Sequence, residues 1–476
     1  MVSRRSLCSS SQCMVGRSRC LPPAVLCILL LPTVQPGIRA QSPALKVDQA
    51  VNQALEKYPA VGVSRAQVTA ASAGIRAART SYLPRVDALG QVNRATRNNV
   101  AGLLFPQGLP PISGQAMEQK SMTNVWGTAA GFLVSWEPFD FGLRQANVAV
   151  AEAAKTRADA AVARTRLEVA TLAADSFLTL LAAEQTVRAA EAGVERSEVF
   201  LRVVESLVRS KIRPGVELSR ARAENSAAKT QWIQARQAVA VARALLARLL
   251  GLEPAEVKIA AGHLLKLPSL AVQSSSAVVQ NPAALEQDTA VEEAKARLNS
   301  LERAYCPRFS VLGSTYARGT GAHSNGSTMG GLSGLGPNIA NWAAGFTASF
   351  PIMEFASLRA RKESETARMQ AETSRYRQIV VDLKGRLDAS LAAADAARQV
   401  ADHTPVQVEA AAATHRQSTA RYRAGLGTVV EVSDAQRLLT QAEIDDSLAK
   451  LGVWRALLAV ASAQGDLQPF LQRASQ

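Results

Sequence analysis

Residues 126–136 read WGTAAGFLVSW, and their side chains alternate in character with a period of two. Trp126, Phe132 and Trp136 fall on one face, whereas glycine, alanine and serine dominate the other face. This alternation is typical of a β-strand whose two faces meet different surroundings. Residues 342–350 repeat the pattern, with Trp342 and Phe350 at the two ends. The stretch therefore predicts a pair of related strands.

The spacing of the aromatic residues indicates what surrounds these strands. Ten residues separate Trp126 from Trp136, which corresponds to about 23 Å of vertical rise in a strand tilted by about 45°. The lipid-facing band of a membrane β-barrel is about 25 Å tall and has aromatic residues at both borders. We therefore expect Trp126, Trp136, Trp342 and Phe350 to mark the membrane borders. A strand of a soluble β-sandwich is the alternative.

The whole chain repeats itself, which extends this prediction to four strands. Tyr82-Leu83-Pro84-Arg85 corresponds to Tyr305-Cys306-Pro307-Arg308 at an offset of 223 residues, and the offset falls to 214 between Glu217 and Glu431. A duplicated unit therefore predicts a first repeat over 41–265 and a second over 266–476. The predicted strands are residues 82–96, 124–138, 305–318 and 341–352. The predicted long helices are residues 141–209, 215–251, 356–422 and 428–465.

The long helices must lie outside the membrane. Residues 141–209 contain no proline and one glycine, so they predict about 100 Å of helix at about 1.5 Å per residue. Apolar residues recur at intervals of three and four, as in a coiled coil. Charged residues on the remaining faces, such as Arg157 and Asp159, exclude burial in lipid. In the matching helix of the second repeat we expect a kink or break at Pro405.

Four strands cannot form a membrane barrel alone. A four-stranded sheet in lipid leaves two edges of unpaired backbone groups, each costing several kcal/mol. We therefore expect a mixed α and β membrane protein in which each chain supplies part of an oligomeric barrel, and three copies would give about twelve strands, within the range of known barrels. The residues between paired strands, 101–123 and 319–341, are predicted to be external loops.

The first forty residues predict an export signal. They contain five basic residues and no acidic residue, followed by an apolar segment and a possible cleavage point after Ala40. Met14 is an alternative start to Met1, and a membrane anchor is the alternative interpretation of the apolar segment. Four of the five cysteines lie in this part, so Cys306 would stand alone in the exported chain and form no disulfide within it.

Composition and motifs argue against nucleic-acid binding and catalysis. The net charge is +15, but the basic residues are scattered among acidic residues along the helices and form no dense patch. The four histidines, His263, His323, His403 and His415, are not spaced as metal ligands. No nucleophile elbow or phosphate-binding loop is found. We therefore expect no enzyme activity, no metal and no cofactor.

Residues 422–436 read YRAGLGTVVEVSDAQ, which resembles a run of the form YxxGxxTxxDVxDA in the TolC-like outer-membrane efflux proteins. The duplicated order of elements and the Trp136-Glu137-Pro138-Phe139-Asp140-Phe141-Gly142 exit from the strand extend the resemblance over the chain after residue 40. The resemblance implies a homotrimer in the outer membrane, with a twelve-stranded β-barrel continued by a twelve-helix α-barrel whose helices extend into the periplasm. It also implies a periplasmic adaptor and an inner-membrane pump or ATP-driven exporter, in a tripartite efflux or type I secretion system.

The same resemblance implies a constriction at the periplasmic end of the tunnel, formed by Tyr422, Glu431, Asp434 and Glu217. The best-studied member of the family has an arginine at the position of Gly427, so that link is missing here; Arg220, which aligns with Asp434 in the other repeat, is the expected replacement. A capping role is the alternative for Glu431, because Thr428 and Glu431 have the spacing of a capping box.

Two functions therefore remain in competition. The first is a passive channel that conducts substrates from the periplasm to the exterior, since no nucleotide-binding motif is present to couple energy. The second is a coiled-coil protein anchored in the outer membrane with only a structural role. The strands bordered by tryptophan favour the channel, because an anchor needs no barrel.

Overall fold

The computed structural model of the protein describes residues 44–96, 123–268, 277–323, 327–350 and 352–475. The predicted signal and most of the loop between the first two strands lie outside these residues. Within these ranges, each helix is either too short or too polar to span a bilayer. The helices are α1 (Val47–Lys57), α2 (Pro59–Arg79), α3 (Leu143–Arg209), α4 (Gly215–Leu250), α5 (Pro282–Arg303), α6 (Phe355–Arg423), α7 (Val429–Gln464) and α8 (Gln468–Ser475).

The four strands form one antiparallel sheet in the order β1-β2-β3-β4. The strands are β1 (Arg85–Thr96), β2 (Asn124–Phe139), β3 (Arg308–Thr320) and β4 (Ile339–Ser349). Each repeat thus contributes one pair of strands, followed by one very long helix and one shorter helix. The predicted fourth strand was placed too far along the chain, because residues 352–354 form a short 3₁₀ helix and Phe350 follows the last strand residue.

The register of the sheet separates two faces of different character. Val134 pairs with Val86 and Gly313, and Val311 pairs with both Trp136 and Phe346. Paired residues point to the same side of a sheet. One side, the apolar face, therefore contains Val86, Val92, Trp126, Phe132, Val134, Trp136, Phe309, Val311, Trp342 and Phe346. The other side, the polar face, contains Arg85, Asp87, Gln91, Ser135, Ser314, Tyr316, Arg318 and Asn341.

The chain leaves β2 and begins α3 through a tightly fixed elbow. Phe141 and Gly142, the two residues immediately before the helix begins, both have positive φ, 52° and 88°. The buried Asp140 carboxylate accepts hydrogen bonds from the Arg144 backbone N–H at 2.7 Å and from its guanidinium at 3.0 Å. The Arg144 guanidinium also lies 4.9 Å from the ring centre of Tyr82. Arg144 therefore joins the start of the helix to Tyr82, which leads into β1.

The main hydrophobic core lies where helices of both repeats meet, midway along α3. Phe177, Leu178 and Leu181 of α3 pack with Leu250 of α4 and Trp454 of α7, and all five are almost completely buried. Many of the remaining buried positions are alanine. Small side chains allow helices to pack at short range, and large apolar residues concentrate the burial at this level. The core therefore joins the two repeats into one unit.

Of the kink or break predicted at Pro405, the break is wrong, because α6 continues through this residue from Phe355 to Arg423. Proline has no N–H to donate to the Ala401 carbonyl. The Thr404 hydroxyl lies 3.4 Å from that carbonyl oxygen and 3.0 Å from the Asp446 carboxylate of α7. The Thr404 hydroxyl lies beside the vacated acceptor and donates to Asp446, so that packing against α7 holds the helix.

Candidate functional site

The two helical hairpins end in turns of the same design. At the end of α3, Lys211 has a φ of 55°, and at the end of α6, Gly425 has a φ of 80°. The Ile212 N–H donates to the Leu207 carbonyl and the Leu426 N–H donates to the Arg421 carbonyl, both at 2.9 Å. These bonds satisfy the last carbonyl groups of each helix. The duplicated unit therefore repeats its turn in detail, at the end of the molecule opposite the strands.

Tyr422 lies between the two turns and connects the repeats. It is 1% exposed, and its hydroxyl donates to the Glu217 carboxylate of α4 at 2.9 Å. Its ring packs edge-to-face against Phe200 of α3, with ring centres 5.2 Å apart. Val204 and Val432 complete the small core around the tyrosine. The structure thus brings together two of the residues that the sequence predicted for a constriction.

Arg213 completes this cluster and was not predicted. Its guanidinium lies 4.9 Å from the ring centre of Tyr422 and 3.6 Å from the Glu217 carboxylate. It also donates to the backbone carbonyls of Tyr422 at 3.3 Å and Gly427 at 3.4 Å. Arginine suits this position because its planar group can stack on a ring and donate to several acceptors at once. We call Phe200, Arg213, Glu217, Tyr422 and Gly427 the Tyr422 cluster.

A signal in the sequence could have revealed Arg213. The offset of 214 residues that aligns Glu217 with Glu431 also aligns Arg213 with Gly427. The arginine that is missing from the second repeat therefore occurs at the equivalent position of the first repeat. Gly427 leaves little room for a side chain of its own, because an added Cβ would lie 3.1 Å from the Tyr422 nitrogen. The predicted replacement, Arg220, is exposed on α4 and forms no ion pair within the described part of the chain.

The surroundings of Tyr422 stabilise its neutral hydroxyl. Burial raises the pKa of Tyr422, and the hydrogen bond to Glu217 and the charge of that carboxylate raise it further, to about 12, against a small opposing effect of Arg213. A hydroxyl with such a pKa remains a hydrogen-bond donor throughout the physiological pH range. The link between Tyr422 and Glu217 therefore does not depend on ionisation of the tyrosine.

Glu431 and Asp434 lie outside this cluster, on the exposed side of α7. Thr428 caps the helix, since its hydroxyl oxygen accepts from the Glu431 N–H at 3.3 Å. The Glu431 carboxylate lies 3.8 Å from the Arg421 guanidinium, and the Asp434 carboxylate pairs with Arg437 on its own helix. Neither acid contacts Tyr422 or Arg220. The structure thus shows the cap at Thr428 and leaves both carboxylates at the surface.

At the opposite end of the molecule, where the strands lie, the apolar face of the sheet carries Trp126, Trp136 and Trp342. Trp342 is 81% exposed and Trp136 is 41% exposed, although the Trp136 indole N–H donates to the Tyr82 carbonyl at 3.2 Å. Trp126 contacts the Arg94 guanidinium, 5.2 Å from its ring centre. Phe350 lies beyond β4 and packs edge-to-face on Phe355. Large apolar side chains exposed together on one sheet face mark a surface that contacts protein or membrane.

The described residues contain no group of three or more histidine, cysteine or acidic side chains that could hold a metal ion. The titratable residues with shifted pKa values are scattered, from Asp140 in the elbow to Tyr422 at the end of α6. His415, for example, has a lowered pKa because it is partly buried and lies near Arg196. The features that recur in both repeats are instead the exposed apolar face and the hairpin turns.

A family model described as "Outer membrane efflux protein" matches residues 50–252 and 274–466. Among curated proteins, none matches the chain. Solved structures that resemble it include the CmeC outer membrane channel of Campylobacter jejuni, with 15% sequence identity over 90% of this chain and 89% of that chain and a TM-score of 0.73. The MtrE outer membrane channel of Neisseria gonorrhoeae shares 19% identity over 90% of this chain and 91% of that chain, with a TM-score of 0.69.

The outer membrane protein VceC of Vibrio cholerae shares 16% identity over 88% of this chain and 96% of that chain, with a TM-score of 0.68. At these identities the structures show that the fold is shared. The family model covers both repeats, from α1 to the end of α7, and it favours a channel over a structural anchor. The chain therefore belongs to the outer membrane efflux protein family, and it is an outer-membrane channel protein built from a duplicated unit of strands and long helices.

Proposed function

We propose that three copies of this chain close a continuous duct from the periplasm to the exterior. The open edges of the sheet support this proposal: β1 and β4 each pair on one side only within the chain. In lipid, unpaired backbone groups cost several kcal/mol each, so further copies must pair these edges. Three copies of four strands give twelve, a number within the range of known membrane barrels.

The apolar face of the sheet then faces lipid and the polar face lines the duct. Trp126, Trp136 and Trp342 lie on the lipid side, as tryptophan does in the aromatic borders of membrane barrels. To test the assembly, we would cross-link the protein in mild detergent and compare heated with unheated samples. We expect a threefold species that dissociates on heating. A stable, monodisperse monomer in water without detergent contradicts the proposal.

The Tyr422 cluster holds the periplasmic end of the duct closed. The single observation that supports this closing role is the hydrogen bond between Tyr422 and Glu217, which connects the hairpin α6–α7 to the hairpin α3–α4. Arg213 reinforces the link by contacting both partners. For the tunnel to widen, the hairpins must separate at this end. The cluster is therefore the contact that has to break.

The test of this closing role removes one atom of oxygen, that of the Tyr422 hydroxyl. Tyr422→Phe retains the packing on Phe200 but removes the donor to Glu217. A hydrogen bond to a charged group contributes about 1.5–3 kcal/mol. We expect more frequent openings and a higher mean conductance of the variant in planar bilayers. The matched control is Tyr376→Phe on the same helix, which should conduct like the unmodified protein. Equal conductance of all three proteins contradicts the proposal.

The hairpin turns are the proposed contact for a periplasmic adaptor that connects the duct to an inner-membrane pump or ATP-driven exporter. Ile212, Val216 and Leu426 are 66%, 72% and 71% exposed at the very end of the helices. Exposed aliphatic residues gathered at one end of a long rod are typical of a protein contact. A photo-reactive residue at Leu426 should cross-link to the adaptor in cells, whereas one at the exposed Val381 of α6 should not.

A further inference from the structure

Arg94 is the one charged side chain on the apolar face among the described residues of the four strands. Its position opposite Trp126 in the β1–β2 register places it on that face. The neighbouring positions of β1 on the same face are Val92, Gly90, Ala88 and Val86. An exposed charge on a surface of this kind is costly in the hydrocarbon region of a membrane. Its presence therefore needs an explanation in terms of what lies around it.

The guanidinium of Arg94 is held in a defined place. Its Nε donates to the Asn124 side-chain oxygen at 2.7 Å, and its central carbon lies 5.2 Å from the ring centre of Trp126. Asn124, Trp126 and Arg94 all project from the same face, because Asn124 is two residues from Trp126 on the same strand. The bond to Asn124 uses the Nε hydrogen, and the side chain is exposed. A guanidinium stacked on a ring presents its terminal nitrogens in a planar fork.

The height of this group matches the region of lipid headgroups. Trp136 and Trp126 lie on the same face of β2, ten residues apart, which corresponds to about 23 Å across the membrane. Trp136 is next to the elbow that leads to the helices, so Trp126 and Arg94 lie at the opposite, outer border. Headgroup phosphates occupy this level, and arginine binds phosphate through two parallel hydrogen bonds.

We propose that Arg94, positioned by Trp126 and Asn124, binds the phosphate group of an anionic lipid in the outer leaflet. The inference rests on the proposed lipid-facing side of the sheet and goes beyond conduction through the duct. The charge of the lipid neutralises the Arg94 guanidinium, and the acyl chains lie along the valine and phenylalanine side chains below it. Each copy of the chain supplies one such site.

Native mass spectrometry of the detergent-solubilised oligomer tests the proposal. We would add dioleoylphosphatidylglycerol or dioleoylphosphatidylcholine and count the retained lipids. We expect the anionic lipid to be retained preferentially, and we expect Arg94→Gln to weaken its binding about tenfold, the equivalent of one charge-assisted hydrogen bond. The matched control is Arg85→Gln, which removes an arginine from the polar face of the same strand and should retain the lipid. Arg94→Lys retains the positive charge but lacks the planar guanidinium fork, so it should bind the anionic lipid at an intermediate level. This variant replaces Arg94→Gln in the test if Arg94→Gln fails to assemble.

Several results would overturn the proposal. Equal retention of the two lipids, unchanged binding in Arg94→Gln, or an equal loss in Arg85→Gln would each do so. Displacement of the lipid by an equimolar amount of inorganic phosphate would show that the site takes free phosphate instead. Bilayer conductance of the same variants separates this inference from the duct, since Arg94→Gln should conduct like the unmodified protein. A change in conductance without a change in lipid binding would also count against the proposal.

Discussion

Tyr422 and Glu217 come from different repeats of the duplicated chain, and the hydroxyl of the tyrosine donates to the carboxylate of the glutamate across 2.9 Å. The side chains that surround this bond also come from both repeats: Phe200 and Arg213 from the first, Val432 from the second. The contact thus forms only when the two helical hairpins lie side by side. This arrangement leads to the first of four predictions.

We expect Tyr422 to titrate well above an ordinary tyrosine. Its pKa is raised to about 12 by burial and by the Glu217 carboxylate, from a usual value of 10.0. The resulting stabilisation is fully present below pH 10 and is lost as the pH rises through 12, because the ionised hydroxyl cannot donate. An ultraviolet titration of tyrosinate, as the difference between the unmodified protein and Tyr422→Phe, should show a component near pH 12. A component near pH 10 would contradict the burial of the hydroxyl.

The exposed acids Glu431 and Asp434 should attract cations at the periplasmic mouth of the duct. In the proposed trimer, three copies would bring two acids each to one axis, and rings of carboxylates favour cations. Replacing Glu431 by glutamine and Asp434 by asparagine should weaken the block of conductance by divalent cations added from the periplasmic side. The control is Glu363→Gln, near the start of α6 and far from the turn. Because Thr428 caps the helix through the Glu431 N–H, Glu431→Gln alone should have little effect. Unchanged block in Asp434→Asn would refute this role.

The tryptophans of the apolar face should be quenched by brominated lipids. Variants that retain one tryptophan each, at position 126, 136 or 342, would be reconstituted with lipids brominated along the acyl chain. All three should lose fluorescence, because they share the face that we assign to lipid. A variant that retains only Trp454 is the control, since this residue is 2% exposed within the helical core. Quenching by aqueous iodide without quenching by lipid would show that the face is assigned wrongly.

The elbow between β2 and α3 should depend strongly on Arg144. Its ion pair with Asp140 is buried, with side chains 10% and 9% exposed, and removal of one partner leaves an uncompensated charge. We expect Arg144→Ala to cost about 3–5 kcal/mol and to lower the temperature at which the oligomer dissociates. Arg79→Ala breaks an exposed pair with Glu152 and should cost about 0–1 kcal/mol. Similar shifts for both variants would contradict a special role of the elbow.

Much of the fold is predictable because the duplication shows each pattern twice. The alternation between Trp126 and Trp136 predicts a strand with one apolar face, and the register of the sheet places Trp342 on that face too. The long proline-free stretch after Phe141 predicts α3. Such patterns depend on local periodicity alone, which a sequence displays directly. The interpretation that the channel is favoured over a structural anchor agrees with the family to which the chain belongs.

The remaining features depend on contacts between distant residues. Pro405 stays within a helix because Thr404 and the packing of α7 compensate for the missing N–H, and no local rule predicts such compensation. Arg213 reaches Tyr422 and Gly427 across more than two hundred positions of sequence. Arg220 aligns with Asp434, but it is exposed on α4 and forms no ion pair within the described part of the chain, since alignment of positions does not determine where a long side chain points.

The bond between Tyr422 and Glu217 lies within one polypeptide, and this has a consequence for cooperativity. If this bond closes the duct, as we propose, each subunit of the oligomer carries its own complete closing contact, and breaking it in one subunit leaves the others intact. The free energies of opening therefore add subunit by subunit, and these bonds alone produce graded widening with intermediate conductance levels. An all-or-none transition would require coupling through the surfaces between subunits, where the hairpin of one chain meets its neighbour.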